Sequence, residues 1–336
     1  MDDSRTSRGC RRPTAGMAMA LSIAVLAGSI IPSVRAGEPI SPITAPDNLD
    51  PERVALGDRL FHDPRLSSDN SVSCASCHVL ALGGADGHPV SIGVGGARGE
   101  VNSPTVYNTG LNLAQFWDGR ARTLEEQVDG PLHRDFEMAS DWSQVLDKLR
   151  HDDELVAEFD RAYEGGLSPT AVRDAIAEFE RSLVTPDSPF DRWLKGDDDA
   201  LGPEAREGYR LFKDYGCAAC HQGANVGGNM FHRLGAMAET YFDERGDLTE
   251  ADLGRFNVTG DDEDRYVFKV PSLRLVTLTP PYFHDGSQET LEEAIDSMAR
   301  YQLARQIDER DVDRIIRFLE SLVGKHPRLD RRGGGS

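Results

Sequence analysis

The sequence predicts a mostly α-helical protein built from two tandem halves of similar construction. The first observation is a motif, C-x-x-C-H, that occurs at residues 74–78 and again at residues 217–221. The second is an internal repeat with an offset of 167 residues, which aligns residues 116–126 with residues 283–293. The third is that few stretches alternate apolar and polar residues as strands do.

The N-terminus is typical of an export signal. Arginines at positions 5, 8, 11 and 12 precede an apolar run over residues 17–31 and an A-x-A-like cleavage site at residues 34–36. We therefore expect residues 1–36 to be a signal peptide, and the mature protein to lie in the periplasm without a membrane span. An uncleaved membrane anchor is the alternative.

Each C-x-x-C-H motif is typical of a c-type haem attachment site. Two thiols about one helical turn apart can add to the two vinyl groups of one haem, and the next histidine then ligates the iron. A zinc site or a redox disulfide also uses cysteines, but neither requires a histidine directly after both pairs. The residues expected to hold the two haems are Cys74, Cys77 and His78 in the first half, and Cys217, Cys220 and His221 in the second.

The repeat also predicts matching helices in the two halves. Residues 57–61, ahead of the first motif, resemble residues 208–212 ahead of the second. A closing helix with apolar positions at i, i+3 and i+7 is expected at Ile176, Phe179 and Leu183, and again at Ile315, Phe318 and Leu322. We therefore predict two cytochrome c-type domains, residues 37–188 and 189–336, each with one covalent haem c.

The two irons are expected to differ in their sixth ligand. Met298 follows the second repeated segment, and its repeat partner is Pro131, which offers no ligand. Iron that only passes electrons often has histidine and methionine as axial ligands. The pattern therefore predicts that Met298 ligates the second iron and that the first iron is open. Core packing is the alternative role for Met298, and Met230 is the alternative ligand.

Polar groups near Pro131 suit peroxide chemistry. Cleaving the O–O bond requires a proton to move from one oxygen to the other, which a carboxylate such as Glu137 can do, while an amide such as Gln127 can orient the peroxide. The repeat partner of Gln127 is Ala294, so this amide is absent from the second half. Both side chains would otherwise be surface groups on a polar loop.

The formal net charge of −20 excludes nucleic acid as an expected partner. A small basic protein suits such a surface, because opposite charges speed encounter. Charge that serves only solubility is the alternative.

The motifs together resemble the bacterial di-haem cytochrome c peroxidases, whose relatives include the MauG proteins. The resemblance covers nearly all of the predicted mature chain. It is carried by residues 60–67, 82–87, 102–106, 115–120 and 280–286, and by the two haem motifs. It implies a periplasmic homodimer that reduces hydrogen peroxide to water with electrons from a small cytochrome c or cupredoxin.

The resemblance also implies residue roles. His78 would hold a low-potential, peroxide-reducing haem, and His221 with Met298 a high-potential haem. Trp117 would bridge the haems for electron transfer, and Gln127 with Glu137 would form the distal pair. Calcium would be bound by Asn102, Thr279 and Pro281, a set of oxygen ligands that suits this ion.

The chain departs from the family pattern in one loop. Most members carry a removable histidine ligand where this chain has Val94, so we expect the first haem to react without prior reduction. His88 or His133 could substitute for the missing ligand. Two other functions stay open: a MauG-like enzyme that oxidises a partner protein, for which Tyr301 would be the second-haem ligand, and a plain di-haem electron carrier.

Overall fold

The computed structural model describes residue 35 and residues 37–237, 240–246 and 248–329. The predicted signal peptide lies outside the described residues, apart from Arg35. Within these described ranges, no helix is both long enough and apolar enough to cross a bilayer.

Helices form most of the regular structure of the first half. They are α1 (Pro51–Phe61), α2 (Cys74–Cys77), α3 (Leu124–His133), α4 (Trp142–Leu149), α5 (Asp153–Ala162) and α6 (Pro169–Ser182). Polar caps fix where they begin. The Asp50 side chain accepts hydrogen bonds from the first backbone N–H groups of α1, and Ser168 caps α6 in the same way, with a proline at the first helical position of each.

The second half is also mostly helical. Its helices are α7 (Pro189–Leu194), α8 (Pro203–Asp214), α9 (Thr240–Arg245), α10 (Phe256–Thr259), α11 (Leu291–Ser297) and α12 (Glu309–Glu320), and a π-helical turn, Met298–Gln302, follows α11. Strands β1 (Phe231–Arg233) and β2 (Val267–Lys269) pair antiparallel, with Phe231 opposite Lys269. The prediction of a mostly α-helical protein is confirmed.

One helix pair occurs in both halves. In the first, α1 packs on α6, and a Cβ atom on Gly57 would lie only 1.8 Å from the carbonyl oxygen of Ala175. In the second, α8 packs on α12, and a Cβ on Gly208 would lie 1.8 Å from the carbonyl oxygen of Arg314. Only glycine allows backbones to approach so closely. The two glycines begin the repeated segments 57–61 and 208–212. Each repeated segment therefore contains the point at which two helices cross.

The apolar residues predicted for the closing helices lie in the core. Ile176, Phe179 and Leu183 are buried at or next to α6. Their repeat partners Ile315, Phe318 and Leu322 are buried at or next to α12.

The ends of the described chain pack against the opposite halves. Ile40, near the N-terminus, is buried in the cluster that contains Phe190 and Phe318 of the second half. Leu329, near the C-terminus, is buried in the cluster that contains Phe61 and Phe179 of the first half. The division between residues 188 and 189 stays a prediction.

Candidate functional site

The first C-x-x-C-H motif forms a single helical turn. Helix α2 begins after Ser73, and the backbone N–H of His78 donates to the carbonyl of Cys74 at 2.9 Å. The His78 Nδ1 lies 3.2 Å from the carbonyl oxygen of Gly84, to which it donates. This bond leaves Nε2 as the free nitrogen and fixes the ring, which is the usual arrangement of a metal-ligating histidine.

The second motif is built similarly. Cys217–Ala219 forms a 3-10 turn, and the backbone N–H of His221 donates to Cys217 at 3.0 Å. Its Nδ1 is buried and has no hydrogen bond of good geometry within the described chain. Burial lowers the pKa of His78 and lowers that of His221 to about 4, because desolvation disfavours the imidazolium. Both rings are therefore neutral near pH 7, as iron ligation requires.

Both motifs line a single continuous cavity of about 590 Å³, which we call the shared cavity. The four motif cysteines are free, and among the described residues no three side chains of His, Cys, Asp or Glu cluster closely enough to hold a metal ion. An apolar space with two free thiols and one neutral histidine at each of two places fits covalent haem. The structure offers no comparable support for the zinc alternative.

The two residues predicted to distinguish the irons lie in elements of different kinds. Met298 and Pro131 both line the shared cavity, Met298 at the start of the π-helical turn and Pro131 inside α3. Such π-helical turns frequently mark functional sites. Neither Met230 nor Tyr301 is among the described residues that line the cavity. The Tyr301 hydroxyl instead donates to Glu244 at 2.5 Å.

The polar residues predicted around Pro131 also line the shared cavity. Gln127 lies on α3, and Glu137 follows the end of that helix. Burial raises the pKa of Glu137, while Arg120 and Arg134 act in the opposite direction. A carboxyl group with a raised pKa is suited to general acid–base work near neutral pH.

The histidines that could replace the missing ligand lie elsewhere. The side chain of His88 is 62% exposed and lies 3.7 Å from Asp86. The His133 Nδ1 donates to the carbonyl of Ser140 at 3.0 Å. Neither histidine is among the described residues that line the shared cavity.

The loop with Val94 supports the segment that carries Glu137. The backbone N–H of Val94 donates to the carbonyl of Glu137 at 2.9 Å. The preceding residue, Gly93, lies so close to this segment that a Cβ would fall 2.1 Å from the carbonyl oxygen of Phe136. This loop therefore holds the Glu137 backbone in place.

Trp117 lies in the shared cavity between segments of the two halves. Its indole N–H donates to the carbonyl of Asn102 at 2.9 Å, and its own carbonyl accepts from the N–H of Lys269 at 2.8 Å. The ring also contacts His284, with ring centroids 6.4 Å apart. The first bond orients the indole, and the second holds the Trp117 backbone against the second half.

The three predicted calcium ligands line the same cavity. They are Asn102, Thr279 and Pro281. The Asn102 backbone N–H donates to the carbonyl of His284 at 2.7 Å, and its side-chain NH₂ donates to the carbonyl of His88 at 3.0 Å. The side-chain oxygen of Asn102 therefore remains the atom available to a cation.

Sequence reasoning missed several polar residues of the cavity. Arg120, Arg134, Glu180 and Lys269 all line it. The repeat could have indicated Glu180, because Phe179 aligns with Phe318 and the next position in the second half is Leu319. A carboxyl group thus stands where the other half has an aliphatic side chain.

The sequence matches the family model described as di-haem cytochrome c peroxidase over residues 51–199. It is 50% identical over 288 residues to cytochrome c peroxidase Ccp of Escherichia coli (strain K12), covering 85% of this chain and 61% of that protein. It is 45% identical over 296 residues to cytochrome c551 peroxidase of Nitrosomonas europaea, covering 87% and 86%.

More distant similarities extend to MauG proteins. The methylamine utilization protein MauG of Methylorubrum extorquens is 37% identical over 288 residues, covering 82% of this chain and 79% of that protein. A solved MauG-like protein associated with microbial copper homeostasis matches with a TM-score of 0.75 at 27% sequence identity, covering 89% and 99%.

Proposed function

The chain belongs to the di-haem cytochrome c peroxidase family, and we propose that it reduces hydrogen peroxide to water with electrons from a small donor protein. The chain spans 61% of the length of the Escherichia coli relative. The observation that carries the proposal is the shared cavity, because both haem motifs line it together with Glu137, Gln127 and Met298.

Two haem c groups are the cofactors of this activity. Cys74 and Cys77 would hold the first through thioether bonds, with His78 as iron ligand. Cys217 and Cys220 would hold the second, with His221 and Met298 as iron ligands. When bound, the haems supply the redox-active iron that exchanges electrons with the donor and with peroxide.

Polar residues of the cavity would transfer the proton and orient the peroxide during its reduction. Reduction of peroxide requires one proton to move from the oxygen nearer the iron to the oxygen farther from it as the O–O bond breaks. We assign this transfer to the Glu137 carboxyl, whose burial favours the protonated form that can return a proton. The Gln127 amide would orient the peroxide, and the guanidinium groups of Arg120 and Arg134 would stabilise negative charge.

Trp117 would connect the two haems. Its indole N–H donates to the carbonyl of Asn102 and its backbone carbonyl accepts from Lys269, and the residue lines the cavity that both motifs share. A calcium ion held by Asn102, Thr279 and Pro281 would stabilise the same region, since Asn102 binds the indole.

Location and assembly follow from the sequence and the resemblance. We propose export to the periplasm by the signal at residues 1–36, and assembly into a homodimer. The donor would be a small cytochrome c or cupredoxin with a basic docking face, because the chain carries a net charge of −20.

The MauG-like alternative has less support. It would need Tyr301 as a ligand, and the Tyr301 hydroxyl is hydrogen-bonded to Glu244. A plain electron carrier would leave Gln127 and Glu137 without a role in the cavity.

Peroxide turnover by the haem-loaded protein tests the proposal. A reduced small cytochrome c is mixed with enzyme and hydrogen peroxide, and we expect two donor molecules to be oxidised for each peroxide consumed. Absence of turnover by protein with two haems per chain contradicts the proposal. Oxidation of a partner protein's side chains with little donor oxidation would favour the MauG-like alternative.

A further inference from the structure

Lys269 is a buried cation without a partner. The residue ends β2 and is 8% exposed. Among the described residues, its ammonium group has neither a hydrogen-bond acceptor nor a carboxylate within ion-pair distance. Lys213, by contrast, pairs with Glu38 at 2.9 Å, and Lys148 donates to two backbone carbonyls. Burying an unpaired ammonium is costly, so an anion is expected to join it when the protein is complete.

The position of Lys269 is fixed by the backbone. Its N–H donates to the carbonyl of Trp117 at 2.8 Å, and the residue pairs with Phe231 across the two-stranded sheet. Its neighbour Phe268 is buried and apolar, as expected for a covered strand. Lys269 is among the residues that line the shared cavity.

The internal repeat gives a second, independent observation. Lys269 is the repeat partner of Asn102, and His284 is the repeat partner of Trp117. The N–H of Asn102 donates to the carbonyl of His284 at 2.7 Å, so each half makes the same backbone bond to the other half. At these matching positions, the first half has the side-chain oxygen of Asn102, which suits a cation, whereas the second half has Lys269, which is itself a cation.

Charged groups next to Lys269 are already engaged. Asp118, next to Trp117, pairs with Arg120 at 3.0 Å. On β1, the Arg233 guanidinium donates to the carbonyl of Glu263, and the His232 ring is hydrogen-bonded to Gln302. Burial alone lowers the pKa of Lys269, to about 8, with no carboxylate acting against it. An anion that pairs with Lys269 would therefore have to enter the cavity from outside the described chain.

We propose that Lys269 is a haem-binding residue whose ammonium pairs with a propionate carboxylate of one of the two haems. Hydrogen peroxide is uncharged at neutral pH, whereas each haem carries two carboxylates on a flexible edge. An ion pair inside an apolar cavity would favour both charged partners and would raise the potential of that haem, because a positive charge stabilises the added electron. The inference rests on the proposed function only in requiring attached haem.

The test compares Lys269→Met with the parent protein. The substitution keeps the shape of the side chain and removes its charge, while Lys325→Met makes the same change at an exposed position. Three properties are measured: haem content by pyridine haemochrome, each haem's potential by spectroelectrochemical titration, and the propionate bending bands in the resonance Raman spectrum. We expect Lys269→Met to retain two haems, to lower one haem's potential and to shift a propionate band. Lys269→Arg should restore both values, and Lys325→Met should change neither.

Two results would overturn the proposal. One is an unchanged potential and unchanged propionate bands in Lys269→Met. The other is a haem potential that, in the parent protein, falls as the pH rises through about 8, with no such fall in Lys269→Met. That pH dependence would show that Lys269 titrates without a partner. Should Lys269→Met not accumulate, Lys269→Gln provides the same comparison. A parent protein without haem would contradict the proposed function instead.

Discussion

At the scale of single residues, two carboxyl groups of the shared cavity, the half-buried Glu137 and the buried Glu180, differ in their surroundings. Two arginines, Arg120 and Arg134, act on the charge of Glu137, and Glu137 in turn acts on Cys77 of the first motif. Glu180 lies on α6 near Cys74, where burial dominates and raises its pKa to about 8. We therefore expect Glu137 to act in the reaction and Glu180 to affect stability.

Glu137→Gln should slow the reaction with peroxide by about 10²–10⁴-fold, the usual contribution of a general acid–base group. Stopped-flow mixing of the haem-loaded protein with peroxide measures this rate. Asp135→Asn is the matched control, because Asp135 is exposed two positions away. A Glu137→Gln rate equal to that of the parent would show that Glu137 only packs in the cavity.

Glu180→Gln should change how stability depends on pH. The unfolded chain releases this proton near the ordinary glutamate pKa of about 4.3, whereas the folded protein keeps it up to about pH 8. Between these values the folded state binds more protons, so the free energy of unfolding falls as pH rises, by up to about 1.4 kcal/mol per pH unit. Glutamine removes this contribution.

Urea titrations at pH 5 and pH 8 measure the effect. The fall in unfolding free energy between these two conditions should be smaller in Glu180→Gln than in the parent. Glu178→Gln, a substitution two positions away on the same helix, is the control. Equal falls in Glu180→Gln and in the parent would mean that Glu180 is ionised in the folded protein.

At the scale of elements, the repeated helix crossing explains why short glycine-containing segments recur. Gly57→Ala and Gly208→Ala should each destabilise the protein by about 1–3 kcal/mol, since a methyl group would overlap a backbone carbonyl of the facing helix. Chemical denaturation measures the loss. Gly202→Ala is the control, because a Cβ there meets no atom within 4 Å. Unchanged stability in both crossing variants would contradict the close approach.

The π-helical turn after α11 gives a second test at this scale. Met298→Ala should lower the potential of the second haem and change its absorption spectrum, while covalent attachment persists through Cys217 and Cys220. Met230→Ala should change neither, because Met230 does not belong to the described lining of the shared cavity. The reverse pattern would transfer the ligand role to Met230.

The positions of helices could be predicted from the sequence where the pattern is local or repeated. The C-x-x-C-H turns and the apolar spacing of α6 and α12 are short-range signals, and the structure has helices at the positions they indicate. For Lys269 the sequence carries only the repeat match to Asn102, because the position of Lys269 depends on a hydrogen bond to Trp117, far away in the chain. The exposure of His88 likewise depends on contacts between distant segments.

At the scale of the whole molecule, the proposed asymmetry predicts how the enzyme is activated. His88 and His133 are not among the described residues that line the shared cavity, and the side chain of Val94 cannot ligate iron. We expect the oxidised protein to contain one high-spin and one low-spin haem, and to react with peroxide before any reductant is added.

Electron paramagnetic resonance of the oxidised protein measures the spin states, and rapid mixing with peroxide measures reactivity. Two low-spin signals, with no reaction until an electron is supplied, would indicate a hidden ligand. His88→Ala and His133→Ala would then identify which histidine closes the site.

The packing of residues near 40 and 329 against the opposite halves has a consequence for how the halves fold. Residues 38–41 bond to the second half, through Glu38 to Tyr209 and Lys213, and through the Ser41 carbonyl to Arg274. Residues 323–329 cover the first half, where Leu329 is buried with Phe61 and Phe179. The residues that complete the core of the first half thus follow α12 of the second half. Removal of residues 323–329 would expose apolar surface on the first half, so we expect the first half to need the second in order to fold.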